Sequence, residues 1–244
     1  MTYAVALNLE RGLVFASDTR TNAGFDNIAQ YRKMQIWRKP GNRVFVLLSA
    51  GNLAVTQTVV NLLNERLDDE ESSVPNLYNA ANMYRAARIV GDAIREARRI
   101  DGAALEAARV GFNTHFIFGG QIEGEKPRLF QVYPEGNFIE STSDTPFFQI
   151  GEHKYGKPIL DRVARADMRL GEAAKIVLLS FDSTLRSNLS VGMPIDLVTI
   201  QRDRLTVDHR RRFDEKDPYM TSLRKSWGEG VRQAFAQLPN PDWN

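Results

Sequence analysis

The predicted secondary-structure elements of this chain come in segregated runs, strands with strands and helices with helices. Short apolar runs bounded by turn residues open the chain, and helical periodicity replaces them after Ala50-Gly51-Asn52. A second block of strands and a second block of helices follow, in the approximate order ββββ-αα-ββββ-αα-β-α. Such runs are typical of antiparallel sheets covered by helices, and they disfavour a βαβ winding. We therefore expect an α+β fold, a four-layer α-β-β-α sandwich.

The expected elements are as follows. The predicted strands cover 3–9, 13–17, 33–37, 43–49, 114–118, 128–133, 138–140, 147–150 and 195–200, with Gly119-Gly120 as a turn. The predicted helices cover about 55–67, 76–99, 159–163, 174–185 and 219–238. The alanines and Gly91 of the second helix indicate close packing against a neighbouring helix. We expect one domain over 1–244, in which about 203–244 forms a C-terminal extension.

Composition narrows the classes of function. The 244 residues contain no cysteine, so disulfides and thiolate metal sites are excluded. A net charge of +2 gives no reason to expect nucleic acid, and two arginine clusters are interleaved with acids, which is typical of solvated or subunit-contacting faces. No apolar run reaches the ~20 residues of a membrane helix, and no signal-peptide pattern opens the chain. The three histidines lack metal-ligand spacing. We predict a cytoplasmic protein without cofactor, metal, membrane or nucleic-acid partner.

The second residue offers a nucleophile. If Met1 is removed, Thr2 carries a hydroxyl and an α-amine that titrates near neutral pH, at ~7.7–8.0 when unperturbed. Threonine after the initiator methionine is common and alone indicates little. Asp18 and Lys33 follow in Ser-Asp-Thr-Arg-Thr-Asn-Ala-Gly and Tyr-Arg-Lys-Met segments. Taken in isolation, those two residues could equally form a structural salt bridge.

The order of these segments resembles the proteasome β-subunit family. A threonine opens the first strand, an Asp-Thr-Arg-x-x-Ala-Gly segment closes the second, and a lysine starts the third. Further family segments follow in order up to about Ile200: Ser49-Ala50-Gly51, Phe118-Gly119-Gly120, 129–136, Gln149-Ile150-Gly151, Ser187-x-x-Ser190 and Ile195-Asp196-Leu197. Thr-Tyr-x-Val-Ala, Gly-Glu-His-Lys-Tyr-Gly-Lys-Pro and Asp-Ser-Thr-x-Arg-Ser-Asn are similar to the bacterial Anbu (ancestral β subunit) group. The resemblance implies an N-terminal-nucleophile hydrolase fold.

The resemblance also implies roles. Thr2 would supply the nucleophilic Oγ and its α-amine the base, acting through a water. The positive charge of Lys33 would lower the proton affinity of the hydroxyl, and Asp18 would hold Lys33 and keep it charged. The N–H of Gly51 would serve the oxyanion. Arg20 and Asn22 are assigned to binding of an extended substrate.

The residues around the expected amine depart from the family pattern. Where the family has Asp-x-x-Ser, this chain has Ser187-x-x-Ser190, so that the serine matches and the aspartate does not; Asp182 is out of register. Glu152 follows Gly151 where the family often has serine. A carboxylate near the amine would raise the pKa of the amine, and loss of the aspartate would lower it. We keep Ser187 and Ser190 as catalytic candidates and expect slow or narrowly specific hydrolysis.

The function implied is an N-terminal threonine peptidase enclosed in a homo-oligomer, acting on a peptide or protein. Two alternatives stay open. One is a catalytically silent structural subunit, although α-type subunits carry an N-terminal extension that this chain lacks. The other is a small-amide hydrolase on the same fold. The arginine-bearing helix at 76–99 and the C-terminal helix with its tail are expected subunit contacts. The sequence indicates neither ring nor spiral, nor any ATPase partner.

Overall fold

A computed structural model describes residues 2–23, 27–68 and 74–243. Its strands are β1 (Tyr3–Leu9), β2 (Gly12–Asp18), β3 (Arg20–Ala23), β4 (Asn27–Gln30), β5 (Met34–Lys39), β6 (Arg43–Gly51), β7 (Thr114–Ile122), β8 (Arg128–Val132), β9 (Phe138–Glu140), β10 (Phe147–Gly151), β11 (Ile195–Gln201) and β12 (His209–Phe213). Its helices are α1 (Leu53–Asp68), α2 (Met83–Ala107), α3 (Lys157–Val163), α4 (Leu170–Ser187) and α5 (Pro218–Gln237).

The strands form two five-stranded antiparallel sheets and a separate hairpin. The first sheet has the order β10-β1-β2-β11-β12, and the second has the order β5-β6-β7-β8-β9. The hairpin pairs β3 with β4 directly after β2. Because β1 lies between β10 and β2, the start of the chain is held on both sides within the first sheet.

Three apolar layers hold the sheets and helices together. Alternate residues of β1, such as Ala4 and Ala6, face the second sheet and pack with Val46, Leu48 and Ile117. The opposite face of the first sheet packs on α4, and the outer face of the second sheet packs on α1 and α2. In a strand that is buried on both sides, successive side chains point to opposite faces of the sheet, and both faces are apolar. The predicted four-layer α-β-β-α sandwich is confirmed.

The limits of α2 differ from those predicted. The helix begins at Met83, not near residue 76, because the side chain of Asn82 accepts a hydrogen bond from the Arg85 N–H and caps the first turn. It ends at Ala107 because the Ala-rich segment after Arg99 continues the helix. The alanines of α2 share an apolar cluster with Val59 and Leu63 of α1, as predicted, whereas Gly91 makes its close approach elsewhere. A Cβ on Gly91 would lie 2.2 Å from the carbonyl oxygen of Gly136, in the turn after β8.

Four further strands differ from the prediction. Gly119-Gly120 is not a turn but continues β7, because Gly119 packs against the ring of Phe15 and the backbone of Arg128. The short strands β3 and β4 were not predicted, and neither was the charged edge strand β12. In the part of the chain that is described, no helix is long and apolar enough to cross a membrane.

Candidate active site

The peptide group between Thr2 and Tyr3 is hydrogen-bonded through both its carbonyl oxygen and its N–H. The carbonyl oxygen of Thr2 accepts a hydrogen bond from the Glu152 N–H at 2.7 Å, and the next N–H, of Tyr3, donates to Asp18 Oδ1 at 3.1 Å. Gly151 allows the first contact, since a Cβ there would lie 2.0 Å from the Thr2 oxygen and its φ is +80°. Thr2 is therefore held firmly although it stands at the start of the sheet.

The ring of Tyr3 anchors the same segment in the layer between the first sheet and α4. Its hydroxyl lies 2.9 Å from Ser180 Oγ and accepts a hydrogen bond from Gln149 Nε2 at 2.8 Å, while its ring packs on Phe181. The side chain is fully buried, and this burial raises the pKa of the Tyr3 hydroxyl. Tyr3 thus stays neutral and keeps Thr2 in register.

Asp18 and Lys33 meet, as the family resemblance implied. Asp18 ends β2, Lys33 immediately precedes β5, and Lys33 Nζ lies 2.8 Å from Asp18 Oδ1. The same ammonium donates to the backbone carbonyl of Arg20. Asp18 is inaccessible to solvent, and its Oδ2 accepts a contact from the Gly192 N–H at 3.5 Å. One oxygen, Oδ1, therefore links the peptide that follows Thr2 to the ammonium of Lys33.

Burial opposes the charges of this pair. It lowers the pKa of Lys33, and the charge and hydrogen bond of Asp18 oppose that shift. Burial likewise raises the pKa of Asp18 against the effect of Lys33 and the backbone donors. Each group thus depends on the other for its charge, which agrees with the role predicted for Asp18.

A cleft of about 950 Å³ opens between the ends of the two sheets, with Thr2 and Lys33 on its wall. Gly51, at the end of β6, lies on the same wall. Its φ of +112° and its approach to Asn113, whose carbonyl oxygen would be 2.1 Å from a Cβ, require a glycine there. His115 also lines the cleft, and burial lowers the pKa of its imidazole. A threonine, a cation and a glycine backbone therefore face one space large enough for a peptide segment.

The remaining predicted residues lie around this centre. The carbonyl of Arg20 binds Lys33, and its guanidinium donates to the carbonyl of Leu189 at 3.1 Å. Asn22 lies in β3, where its backbone pairs with Ile28. Ser187 ends α4 with an exposed side chain, and Ser190 is half-buried in the loop that follows. Neither serine is among the described residues that line the cleft.

Glu152 was given only a minor role from the sequence, and Asn188 was missed. Glu152, noted only as a departure, is 9% exposed and accepts hydrogen bonds from the Lys154 N–H and from Asn188 Nδ2, both at 2.9 Å. Asn188 was not predicted at all. The signal that could have found it is its place inside the Ser187-x-x-Ser190 segment, where its Oδ1 accepts from the Ser190 N–H at 2.8 Å. Asp182, by contrast, forms ion pairs with Arg224 and Arg186.

No cluster of histidine and carboxylate side chains suited to a metal ion is found among residues 2–23, 27–68 and 74–243.

Comparison with known proteins places this geometry in context. A family model described as proteasome subunit matches residues 2–200. Proteasome subunit beta 1 of Pyrobaculum calidifontis is 26% identical over 204 residues, covering 83% of this chain and 91% of that protein.

Solved structures give closer matches. A Gly-1 mutant of Anbu from Hyphomicrobium sp. strain MC1 is 67% identical, with a TM-score of 0.93 and full coverage of both chains. Anbu (ancestral beta-subunit) from Yersinia bercovieri is 49% identical, with a TM-score of 0.92, and covers 99% of this chain and 100% of its own. A structure described as the helical assembly of the Anbu complex from Pseudomonas aeruginosa is 46% identical, with a TM-score of 0.91 and 98% of both chains covered.

Proposed function

Since the chain belongs to the Anbu (ancestral β-subunit) group of the proteasome-subunit family, we propose that it is an N-terminal threonine peptidase. The observation that carries the proposal is the sharing of Asp18 Oδ1 between the Tyr3 N–H and Lys33 Nζ. This oxygen brings the cation to the residue whose hydroxyl would attack, at the wall of a cleft of about 950 Å³. The proposal extends to peptides or proteins as substrates.

The mechanism begins with removal of Met1, which frees the α-amine of Thr2. That amine accepts the proton of Thr2 Oγ through a water, while the charge of Lys33 stabilises the developing alkoxide. Oγ attacks the substrate carbonyl, and the backbone N–H of Gly51 donates to the oxyanion. The amine returns the proton to the leaving nitrogen, the C–N bond breaks, and a water then hydrolyses the acyl-threonine ester. In this scheme Arg20 and Asn22 bind the extended substrate through the β3 backbone, whereas Ser187 and Ser190 are assigned to the surroundings of the amine by the family resemblance alone.

The first test compares Thr2→Ala and Thr2→Ser with the wild type on libraries of peptides and small amides. Intact mass first establishes that each protein starts at residue 2. We expect Thr2→Ala to abolish hydrolysis and Thr2→Ser to keep part of it, because the serine retains both hydroxyl and amine. Thr145→Ala, which removes a hydroxyl from another wall of the cleft, serves as the control and should leave the rate unchanged.

Each other outcome points to a different function. Thr2→Ala that hydrolyses at the wild-type rate would refute the nucleophile. A wild type starting at Thr2 that cleaves neither library would favour a structural subunit. Cleavage of small amides alone would favour a non-peptidase hydrolase. Uniform retention of Met1 in protein from cells would exclude the mechanism as written.

We also propose that the chain is one domain that works as a cytoplasmic homo-oligomer, with 203–244 contributing to assembly. Enclosure of the cleft would protect other proteins from the peptidase. The helical assembly described for the Pseudomonas aeruginosa relative supports oligomerisation. So do exposed apolar side chains in α5 and the tail, where Phe235 is 75% and Trp243 86% exposed.

The assembly prediction is tested with the double variant Phe235→Ser and Trp243→Ser. These side chains are too exposed to stabilise the fold, so the change should reduce the sedimentation coefficient of the assembly and leave the circular dichroism of the subunit unchanged. Ile139→Ser, at an exposed position of β9, is the matched control. An unaltered sedimentation coefficient in the double variant would contradict the role of the tail.

A further inference from the structure

Among the described residues, the groups that donate hydrogen bonds to the buried carboxylate of Glu152 are neutral. Its side chain is bound by the Lys154 backbone N–H and by the amide of Asn188. Within the described ranges, no lysine, arginine or histidine side chain forms an ion pair with it. A carboxylate with 9% exposure and no cation is costly in a folded protein, unless a positive group lies beside it.

The backbone places Glu152 next to the start of the chain. Tyr3 is paired with Gly151 across β1 and β10, and the Glu152 N–H donates to the Thr2 carbonyl at 2.7 Å. Glu152 is therefore the residue opposite Thr2 where the two strands end. Gly151 permits this close approach, as described above.

Asn188 holds the carboxylate in this position. Its Nδ2 donates to Glu152 Oε2, and its Oδ1 accepts from the Ser190 N–H. Asn188 is also the C-cap of α4, and its N–H donates to the carbonyl of Thr184. The amide thus joins the end of a core helix to Glu152, which gives the acid a fixed orientation.

The charged pair that is bound to the peptide after Thr2 is already matched. Asp18 is engaged by Lys33 and by backbone N–H groups, and Lys33 is itself a cation that would repel a protonated amine. Ser187, at the position where an acid was expected, carries no charge and is exposed. Glu152 is hence a carboxylate directly opposite Thr2 for which the described residues supply no cation.

We propose that Glu152, oriented by Asn188, is the counter-ion of the Thr2 α-amine and positions that amine for catalysis. The inference rests on the proposed function, since it requires a free amine at Thr2. A neighbouring carboxylate favours the ammonium form, so the amine becomes a neutral base only at more alkaline pH. The site would then turn over slowly at neutral pH and faster above it.

The test titrates the α-amine directly. The protein is prepared with Thr2 as its first residue by cleavage of a removable N-terminal tag, so that cellular processing plays no part. Cyanate carbamylates the amine across a pH series, and mass spectrometry of the N-terminal peptide gives the midpoint of its reactivity. We expect Glu152→Gln to lower this midpoint by about one pH unit or more. Glu152→Asp should recover part of the shift, and Asn188→Ala should lower the midpoint less than Glu152→Gln does.

The control is Asp144→Asn, which removes a carboxylate elsewhere in the cleft and should leave the midpoint unchanged. Equal midpoints in wild type and folded Glu152→Gln would overturn the proposal. Should Glu152→Gln fail to fold, Asn188→Ala decides, and an unchanged midpoint there overturns it equally. The same titration in a Thr2→Ala background needs no activity, so a counter-ion role can stand even where the nucleophile assignment fails.

Discussion

Thr2 lies between two carboxylate sites, a lysine flank and a glutamate flank. The two sites differ in whether the described part of the folded chain supplies a cation for the carboxylate. On the lysine flank (Asp18 and Lys33), a carboxylate and an ammonium are 2.8 Å apart, and both are supplied by the folded chain. On the glutamate flank (Glu152 and Asn188), a carboxylate that is 9% exposed is held by neutral donors. The lysine flank is thus assembled by folding alone, whereas the glutamate flank acquires its cation only when an amine is freed at Thr2.

This difference predicts that the two carboxylates contribute unequally to the stability of the fold and to catalysis. A buried ion pair that forms on folding belongs to the core, and breaking it should lower both stability and activity. A carboxylate whose proposed counter-ion is the Thr2 α-amine should influence the protonation state of that amine more than the stability of the fold. The following predictions test this contrast, beginning with the largest expected effect.

Lys33→Met should abolish hydrolysis and reduce the free energy of unfolding by about 3–5 kcal/mol, because Asp18 is left buried without its cation. Peptide hydrolysis and urea denaturation measure the two effects. The double variant Lys33→Met with Asp18→Asn removes both charges, so stability should return towards that of the wild type while activity does not.

Lys157→Met is the control for this prediction, because Lys157 also lines the cleft but is half exposed and paired with Asp161. It should change the free energy of unfolding by less than about 1 kcal/mol. If Lys33→Met is as stable as Lys157→Met, the lysine flank is not the part of the core that we describe.

Thr2 and Lys33 should behave as one unit in catalysis. The combination Thr2→Ala with Lys33→Met should lose little more activity than either single change, because removal of one member already disables the other. Rates of all four proteins on one substrate complete the cycle. Losses that multiply would show that Lys33 acts on some step other than activation of the Thr2 hydroxyl.

The smallest effect concerns Tyr3, which fixes Thr2 between the flanks. Burial raises the pKa of its hydroxyl above the ordinary value of 10.0, so the unfolded chain releases this proton first. Stability due to the neutral hydroxyl is therefore complete below pH 10.0 and declines above it, by up to about 1.4 kcal/mol per pH unit. Tyr3→Phe should cost about 1 kcal/mol at neutral pH and remove that alkaline decline.

Urea denaturation at neutral and alkaline pH measures the Tyr3 effect. Tyr155→Phe is the control, since Tyr155 is 41% exposed and its loss should not change the slope. A Tyr3→Phe protein that loses stability above pH 10 as steeply as the wild type would contradict the assignment.

The layered fold was predictable because its strands are apolar on both faces and its helices carry clear apolar stripes. What failed were elements whose sequences lack those patterns. β12 reads His-Arg-Arg-Arg-Phe, and only Phe213 is buried, since the strand lies at an exposed sheet edge. The start of α2 was misplaced because residues 76–82 contain several asparagines, and only Asn82 caps the helix. Local propensity cannot distinguish an asparagine that caps a helix from one in a preceding turn.

Contacts of the site were predictable where a family motif places the residues, and they were not predictable where they depend on how distant elements pack. Asp18 and Lys33 stand at the ends of neighbouring segments, so their meeting followed from spacing and family resemblance. The bond between Glu152 and Asn188 joins residues 36 positions apart and depends on how the end of α4 packs beside β10. The periodicity of the sequence gives no indication of this contact. The family itself was predicted correctly, as the match to residues 2–200 shows.

The first residues of a folded chain ordinarily fray, because few contacts oppose their conformational entropy. Here the Thr2 carbonyl is bound by Glu152, directly after β10, and the Tyr3 N–H is bound by Asp18, at the end of β2. The Tyr3 amide should therefore exchange its hydrogen as slowly as amides of the core. If Thr2 is the nucleophile, as we propose, it gains from this preorganisation, because the entropy of its ordering is lost during folding and no longer weakens the binding of each substrate.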